Sequence, residues 1–382
     1  MRKTVLLILL VSLMVALPSL SHANRGLTMG YAYEVIADQS NIWTYPSTLI
    51  NYPNMMVGQI SSEMGFYEGG AQFGIGNKVV AVFFNNLKYN YLYLPNETAI
   101  DQRIAFLVAG GDKDIAYGVK LNVNGSSSSA EAEDYNPEVA ITEFGLRLGL
   151  TYNTNLDAYL KFEMISWTHN DTDGEEITAP DGYINFGFGG RYWLAMSDRY
   201  TIIPHFSFAM IGQGYERKFL DQNENLKGRR LSRTYIDLGV GNNIKVSEKV
   251  LIVSNVGISL NPFELESTYR AMTETNTGSM NEIPYITIGF ESALYSWLDL
   301  RMGIAKTWDH DTYEPDEATP GNPKTYEGST NEDFFLGLGF HFKNLDIDMQ
   351  MNPDMLTNGP YILTGAETET MATSVKLTYT WE

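Results

Sequence analysis

The sequence predicts an all-β fold: a transmembrane, antiparallel, up-and-down β-barrel of about fourteen strands, or sixteen if two short N-terminal strands count. Three observations carry this. Apolar and polar residues alternate with a period of two in segment after segment. Short turns alternate strictly with long polar connections. After residue 23 no stretch approaches the roughly 18–20 uninterrupted apolar residues that a spanning helix needs.

Composition narrows the classes further. The 382 residues include no cysteine, and 46 acidic residues against 26 basic ones give a formal charge of −20. A disulfide-stapled domain, a thiolate-ligated metal centre and sulfur redox chemistry all need thiols that are absent. Nucleic acid is a poor partner for so acidic a chain, because polyanions are held by basic surfaces.

Residues 1–23 read as a signal peptide. Arg2 and Lys3 precede an apolar run from Thr4 to Leu17, and Ser21-His22-Ala23 offers the small residues of a cleavage site. The mature chain is expected to begin at Asn24, without a lipid anchor, since no cysteine can carry one. Residues 24–54 do not read as a strand and are expected to form a plug-like segment, with the barrel from 55 to 382.

Within the barrel, Phe144, Leu146, Leu148, Leu150 and Tyr152 alternate with Glu143, Gly145, Arg147, Gly149 and Thr151. Such a pattern gives a strand two unlike faces. Leu156–Met164, Ile184–Leu194, Ile236–Ile244, Ile286–Leu294, Leu298–Ile304, Phe334–Phe342 and Val375–Trp381 repeat it. Short turns are expected at Gly111–Asp114, Asn153–Asn155, Ser197–Arg199, Ser247-Glu248, Ser296-Trp297 and Asn344. Long loops are expected near 88–102, 126–140, 170–182, 217–230, 265–282, 309–333 and 352–370, between strands of 10 to 14 residues. Tyr and Trp near strand ends, such as Tyr152, Tyr192, Trp297 and Trp381, suit interfacial girdles.

The inward set balances its charges: Glu143, Asp157, Glu163, Asp237, Glu291 and Asp299 stand against Arg147, Lys161, Arg191, Lys245 and Arg301. Among them lies an apolar strip, Trp193, Ile203, Ala209, Ile211, Leu251 and Val253. It has two readings, a path for a hydrophobic solute or a packing surface for the N-terminal segment.

That segment contains Asp38-Gln39-Ser40-Asn41-Ile42-Trp43-Thr44-Tyr45-Pro46-Ser47-Thr48-Leu49. It resembles the region around the Asn-Pro-Ala motif at the start of the barrel in the FadL-like (long-chain fatty-acid transporter) superfamily, with Tyr45-Pro46-Ser47 at the motif and two of its three positions changed. The resemblance implies an N-terminal hatch in the lumen, with Asp38, Tyr45, Pro46 and Ser47 in its motif, and sideways release of hydrophobic ligands through a kinked strand. Pro204, which cannot donate to a strand ladder, marks such a kink or a plain bulge.

Other residue types invite chemistry. His205 and Ser207 share a face, a spacing also seen in outer-membrane phospholipase, but no third partner is legible. His310 sits between two aspartates in an expected acidic loop. Asn170–Glu176 is dense in carboxylates without a full calcium-loop series. Gly187, Gly189 and Gly190 fall inside a strand and form no phosphate loop. Arg217, Lys218, Lys227, Arg229, Arg230 and Arg233 gather between two strands, either to meet lipopolysaccharide phosphates and other anions or to neutralise acidic neighbours.

The expectation is therefore an outer-membrane channel or transporter of a Gram-negative bacterium, not an enzyme, passing small hydrophobic solutes such as fatty acids. The alternative is a closed, non-transporting interaction or assembly protein. Outer-membrane lipid is the expected surround, no cofactor, metal or nucleic acid is called for, and the sequence sets no oligomeric state.

Overall fold

The structure, a computed structural model, describes residues 25–61, 67–84, 103–129, 138–170, 175–178, 183–219, 227–269, 272–315, 324–351 and 372–381. The signal-peptide reading falls outside them. From the N-terminus come one α-helical turn, Arg25–Thr28, and three 3-10 turns, Ala32–Glu34, Gln39–Trp43 and Pro46–Asn51.

Among the described residues, the regular elements after them are all strands. First come β1 (Met55–Ser61), β2 (Tyr67–Ile75), β3 (Lys78–Phe84), β4 (Arg103–Gly111), β5 (Ile115–Ser129), β6 (Glu138–Tyr152) and β7 (Leu156–Asn170). Next are β8 (Glu175–Thr178), β9 (Tyr183–Tyr192), β10 (Leu194–Ser197), β11 (Tyr200–Phe219), β12 (Lys227–Ser247), β13 (Val250–Leu260) and β14 (Pro262–Tyr269). The last are β15 (Met272–Tyr295), β16 (Leu298–Glu314), β17 (Thr325–Phe342), β18 (Leu345–Met351) and β19 (Ala372–Thr380).

All pair antiparallel in one sheet that closes where β1 meets β19, from Met55↔Thr380 to Ser61↔Ser374. β8, β9 and β10 follow one another between β7 and β11, and β13 and β14 do so between β12 and β15, so the nineteen segments make sixteen staves. The larger of the two expected counts holds, because β1 and β2 supply the closing edges. Closure joins the first stave to the last, so the described sheet has no terminal stave, an edge that lipid does not tolerate.

Faces follow the alternation. Leu148, Leu150, Leu160, Met164, Ile184, Phe186, Phe188, Leu238 and Ile288 point outward and are exposed, whereas Glu143, Asp157, Glu163 and Arg191 point inward and are buried. At the short-turn rim, Trp297 stacks between Tyr295 and Phe340, and Trp381 lies against Phe73 and Tyr379, as an interfacial belt requires.

Several staves are longer than the 10 to 14 residues expected: β11 has 20, β12 has 21 and β15 has 24. Within the expected loops 217–230, 265–282 and 309–333, residues 217–219, 227–230, 265–269, 272–282, 309–314 and 325–333 are strand. Outside lipid neither face is covered, so the period-two signal fades while the backbone ladder continues. β17 shows the transition, with residues 325–334 exposed on both faces and burial beginning at Phe335. By the same correction the basic cluster is not a loop: Arg217 and Lys218 lie on β11, and Lys227, Arg229, Arg230 and Arg233 on β12. His310 likewise lies on β16, opposite Gly328. Of the carboxylate-rich run 170–176, residues 171–174 lie outside the described residues, and Glu175 and Glu176 open β8.

Residues 25–54 lie inside the barrel. Glycines on the inner wall let their backbone approach: a Cβ at Gly118 would overlap the Pro46 carbonyl, one at Gly149 would come 2.7 Å from Ser47 N, and one at Gly303 would overlap Gly30 N. Gly118 faces Gly149 across β5 and β6, so one bare patch seats Pro46 and Ser47. We predict that Gly118→Ala lowers thermal stability in detergent by about 1–3 kcal/mol through overpacking. Gly125→Ala, where nothing lies within 4 Å of the added methyl group, is the matched control and stays near wild type. Circular dichroism melts of the two variants check this.

Candidate functional site

The inserted segment is held by one buried guanidinium. Arg191, 2% exposed, projects inward from the end of β9. Its Nε donates to Asp157 Oδ2 at 2.9 Å, Nη1 to the carbonyls of Tyr33 (3.0 Å) and Glu34 (3.1 Å), and Nη2 to Asn41 Oδ1 at 3.0 Å. Its plane lies 4.5 Å from the ring centre of Tyr45 and 4.8 Å from that of Trp193. The planar fork of arginine is suited to several acceptors and two aromatic faces at once. Asp157 also accepts from Thr151 Oγ1 and Trp193 Nε1, and Ser47 Oγ is 2.8 Å from Thr151 Oγ1.

The four motif residues thus gather around this centre. Asp38 caps the turn Gln39–Trp43, accepting from Ser40 N at 2.7 Å while Asn41 Oδ1 accepts from Asp38 N. The Tyr45 hydroxyl donates to Glu34 at 2.6 Å. Burial, with Glu34 beside it, holds that hydroxyl well above the usual phenol range. Pro46 and Ser47 occupy the glycine seat. Further ties ring the wall: Arg25 to Glu291, Lys120 and Arg147 to the Trp43 carbonyl, and Lys376 to Gln39. The balanced inward charges are cross-linked, as Lys161 with Glu163 and Arg301 with Glu291 and Asp348.

The expected apolar strip divides. Ile203 and Val253 are fully buried against Met29, Ala32, Val35 and Ile36 of the segment, with Trp193 and Leu251 packed at the edge. Ala209 and Ile211 lie nearer the long-loop rim, half-buried and outside that cluster, opposite Gly187 and Arg233. At Pro204 the pairing of β11 with β12 runs on without a register shift, and the interruption falls in the neighbouring stave, at Trp193 between β9 and β10. The missing proline donor therefore sits where the adjacent ladder is already broken.

A second apolar wall went unread in the sequence: Ile42, Trp43 and Leu49 pack on Val57, Val79, Ala81, Phe83, Ala105 and Leu107. Its signal was present, because β3 and β4 are apolar at nearly every position, the mark of strands covered on both faces.

Two cavities flank the inserted segment. The inner one, about 540 Å³, opens toward the short turns and is lined by Ala37, Tyr52, Lys113, Asp157, Arg191 and Trp193 among others. The outer one, about 670 Å³, is lined by Tyr31, Glu34, His205, Asp237, Glu282 and Tyr285 among others. Residues 31–37 pass from one to the other.

No family model matches the chain, and no curated protein does. Solved structures do. The fold is similar to that of a FadL homologue from Pseudomonas aeruginosa, at 12% identity and TM-score 0.46, covering 96% of this chain and 100% of that one. It is also similar to CymD, a monoaromatic hydrocarbon channel, at 10% identity and TM-score 0.42, covering 95% and 98%. A third likeness, at 12% identity and TM-score 0.42, is to the ferric yersiniabactin uptake receptor FyuA from Yersinia pestis. It covers 71% of this chain, which spans about half (51%) of that receptor.

His205 and Ser207 line the outer cavity together. The third partner that the sequence left open is Asp237, 3.4 Å from His205 Nδ1, and Asn255 Oδ1 lies 2.9 Å from Nε2. With both ring nitrogens engaged, neither is presented to the Ser207 hydroxyl as a base. In the long hairpins, Lys218 pairs in register with Glu176 of β8, and Arg230 with Glu266 of β14.

Two predictions follow from the anchor. Arg191→Leu strands Asp157 and uncouples the Tyr33 and Glu34 carbonyls, and lowers stability by about 3–5 kcal/mol. Arg191→Lys, a single point charge, recovers little of that in thermal melts. Second, unfolded Tyr45 ionises near the ordinary phenol value of about 10 while folded Tyr45 stays protonated, so its contribution is intact below pH 10 and is lost as the pH rises above it. The alkaline fall in melting midpoint is accordingly shallower in Tyr45→Phe than in wild type.

Proposed function

We propose that this chain sits in the outer membrane of a Gram-negative bacterium and passes small hydrophobic solutes inward, with residues 25–54 as the movable plug. The observation that carries this is the apolar seam between Ala32, Val35 and Ile36 on the plug and Ile203, Val253, Trp193 and Leu251 on the wall. Because residues 31–37 link the two cavities, the seam is the greasy contact that lies between them. A hydrophobic solute entering it replaces like with like, so displacing the plug forfeits little apolar burial. A polar solute would strip that burial without return.

Among hydrophobic solutes, fatty acids fit the outer cavity least, since their carboxylates would meet those of Glu34, Glu282 and Asp333. The protein acts as a conduit and not as an enzyme, and the engaged His205 nitrogens support that reading. In the β11–β12 hairpin Lys218 and Arg230 stand across from Glu176 and Glu266, while Arg217 stands across from Lys227, so the register leaves both the lipopolysaccharide and the neutralisation readings of the cluster open.

The absence of cysteine from the chain makes one test clean. Ser47 and Thr151 place their hydroxyl oxygens 2.8 Å apart, within reach of a disulfide after Ser47→Cys with Thr151→Cys. Oxidised double variant in liposomes is expected to take up no toluene or short alkanol, and reductant is expected to restore uptake. Equal uptake in both redox states would sink the movable plug, and no uptake by wild type would favour a closed interaction protein.

A further inference from the structure

Gln72, near the middle of β2, is fully buried, and it faces the lumen, because Phe73 and Ile75 beside it in the alternation are exposed on the lipid side. Its cross-strand neighbours, Met55 on β1 and Ala81 on β3, belong to the apolar wall that packs on Ile42, Trp43 and Leu49 of the inserted segment. The next inward positions along β2 are Gly70 and Gly74, which add no side chain. A Cβ at Gly70 would overlap the Phe83 ring, and one at Gly74 would come 3.2 Å from Pro53 Cβ, at the end of the segment. A primary amide is thus set into the apolar seat of the plug.

Neither end of that amide is served. Among the described residues, Gln72 Oε1 and Nε2 have no hydrogen-bond partner, and both atoms are closed to water. Burying an amide in this way is unfavourable, and buried polar groups are nearly always satisfied. Methionine, similar in volume and wholly apolar, would fill the place without that cost. Gln59, a buried glutamine on the neighbouring strand β1, differs in just this respect, since it is engaged by a partner.

The penalty depends on the plug being seated. Once residues 42–49 lift from the wall, lumen water reaches Gln72, and both ends of the amide gain hydrogen bonds. While the segment is down, the dry amide offsets part of the burial that Ile42, Trp43 and Leu49 gain there. A group whose free energy differs between two states shifts the balance between them.

We propose that Gln72 is a release element, a polar residue placed in the plug's seat so that hydration of its amide favours lifting and keeps the plug displaceable. This rests on the movable-plug reading above and deepens it, by naming the wall residue that weights the seated state against the displaced one.

The test follows hydrogen exchange in the full-length protein in detergent, beside toluene uptake into liposomes. The informative amides are those of Thr44, Tyr45 and Thr48, which are hydrogen-bonded within the turns of the segment. Gln72→Met is expected to slow their exchange about tenfold and to slow uptake in the same direction. Gln72→Leu does likewise, whereas Gln59→Met, which removes an engaged amide, slows neither. Unchanged or faster exchange in Gln72→Met overturns the proposal, and so does a failure of both apolar variants to fold, because either result means that the amide is served in place. Slower exchange with unchanged uptake, in a protein that does pass toluene, overturns it as well. If wild type passes no toluene while Gln72→Met still slows exchange, the conduit falls and the release element stands.

Discussion

The interior of this barrel depends on one ion pair, Arg191 with Asp157. A buried guanidinium is tolerable only when its donors and its charge are both met, and here the wall meets the charge while the inserted segment meets the remaining donors. The segment in turn has too little secondary structure of its own, one α-helical turn and three 3-10 turns, to satisfy its backbone. Each side therefore completes the other. The carbonyls of Tyr33 and Glu34 would be orphaned without Arg191, and Arg191 without the segment would keep Asp157 but lose its bonds to Tyr33, Glu34 and Asn41. That reciprocity explains why Tyr45 and Trp193 flank the guanidinium: they seal the pair from water and let it act at a lower effective dielectric.

The barrel was legible in the sequence because lipid imposes one rule on every residue in contact with it. Phe144, Leu148 and Leu150 had to be apolar, Glu143 and Arg147 had to turn away, and the period-two signal followed. Where lipid stops, so does the rule. The outer halves of β15 and β17 are paired strand with both faces wet, and their polar composition reads as loop. The short turns were legible for the opposite reason: they must reverse the chain within two or three residues, and Asn153, Thr154 and Lys343 adopt left-handed backbone to do so.

The site was legible only in parts. Arg191 and Asp157 were recognisable as inward charges, and the region around Tyr45-Pro46-Ser47 as something other than a strand. What joined them was not, because a single sequence gives no distance between residue 41 and residue 191. The glycine seat was hidden for a different reason. Gly118 and Gly149 read as gaps in an alternating pattern, and a missing side chain announces no contact until the neighbouring backbone is placed.

The two kinds of contact that hold the segment differ in how they can be undone. Its polar ties, from Arg25, Lys120, Arg147, Arg191 and Lys376, end on groups that water can also serve, so each costs little net free energy to exchange once water arrives. Its apolar contacts, on Ile203 and Val253 and on the wall of Val57 and Phe83, lose their driving force only against something equally apolar. The seam of Ile203 and Val253 with Ala32, Val35 and Ile36 is therefore the part of the fastening that water cannot replace.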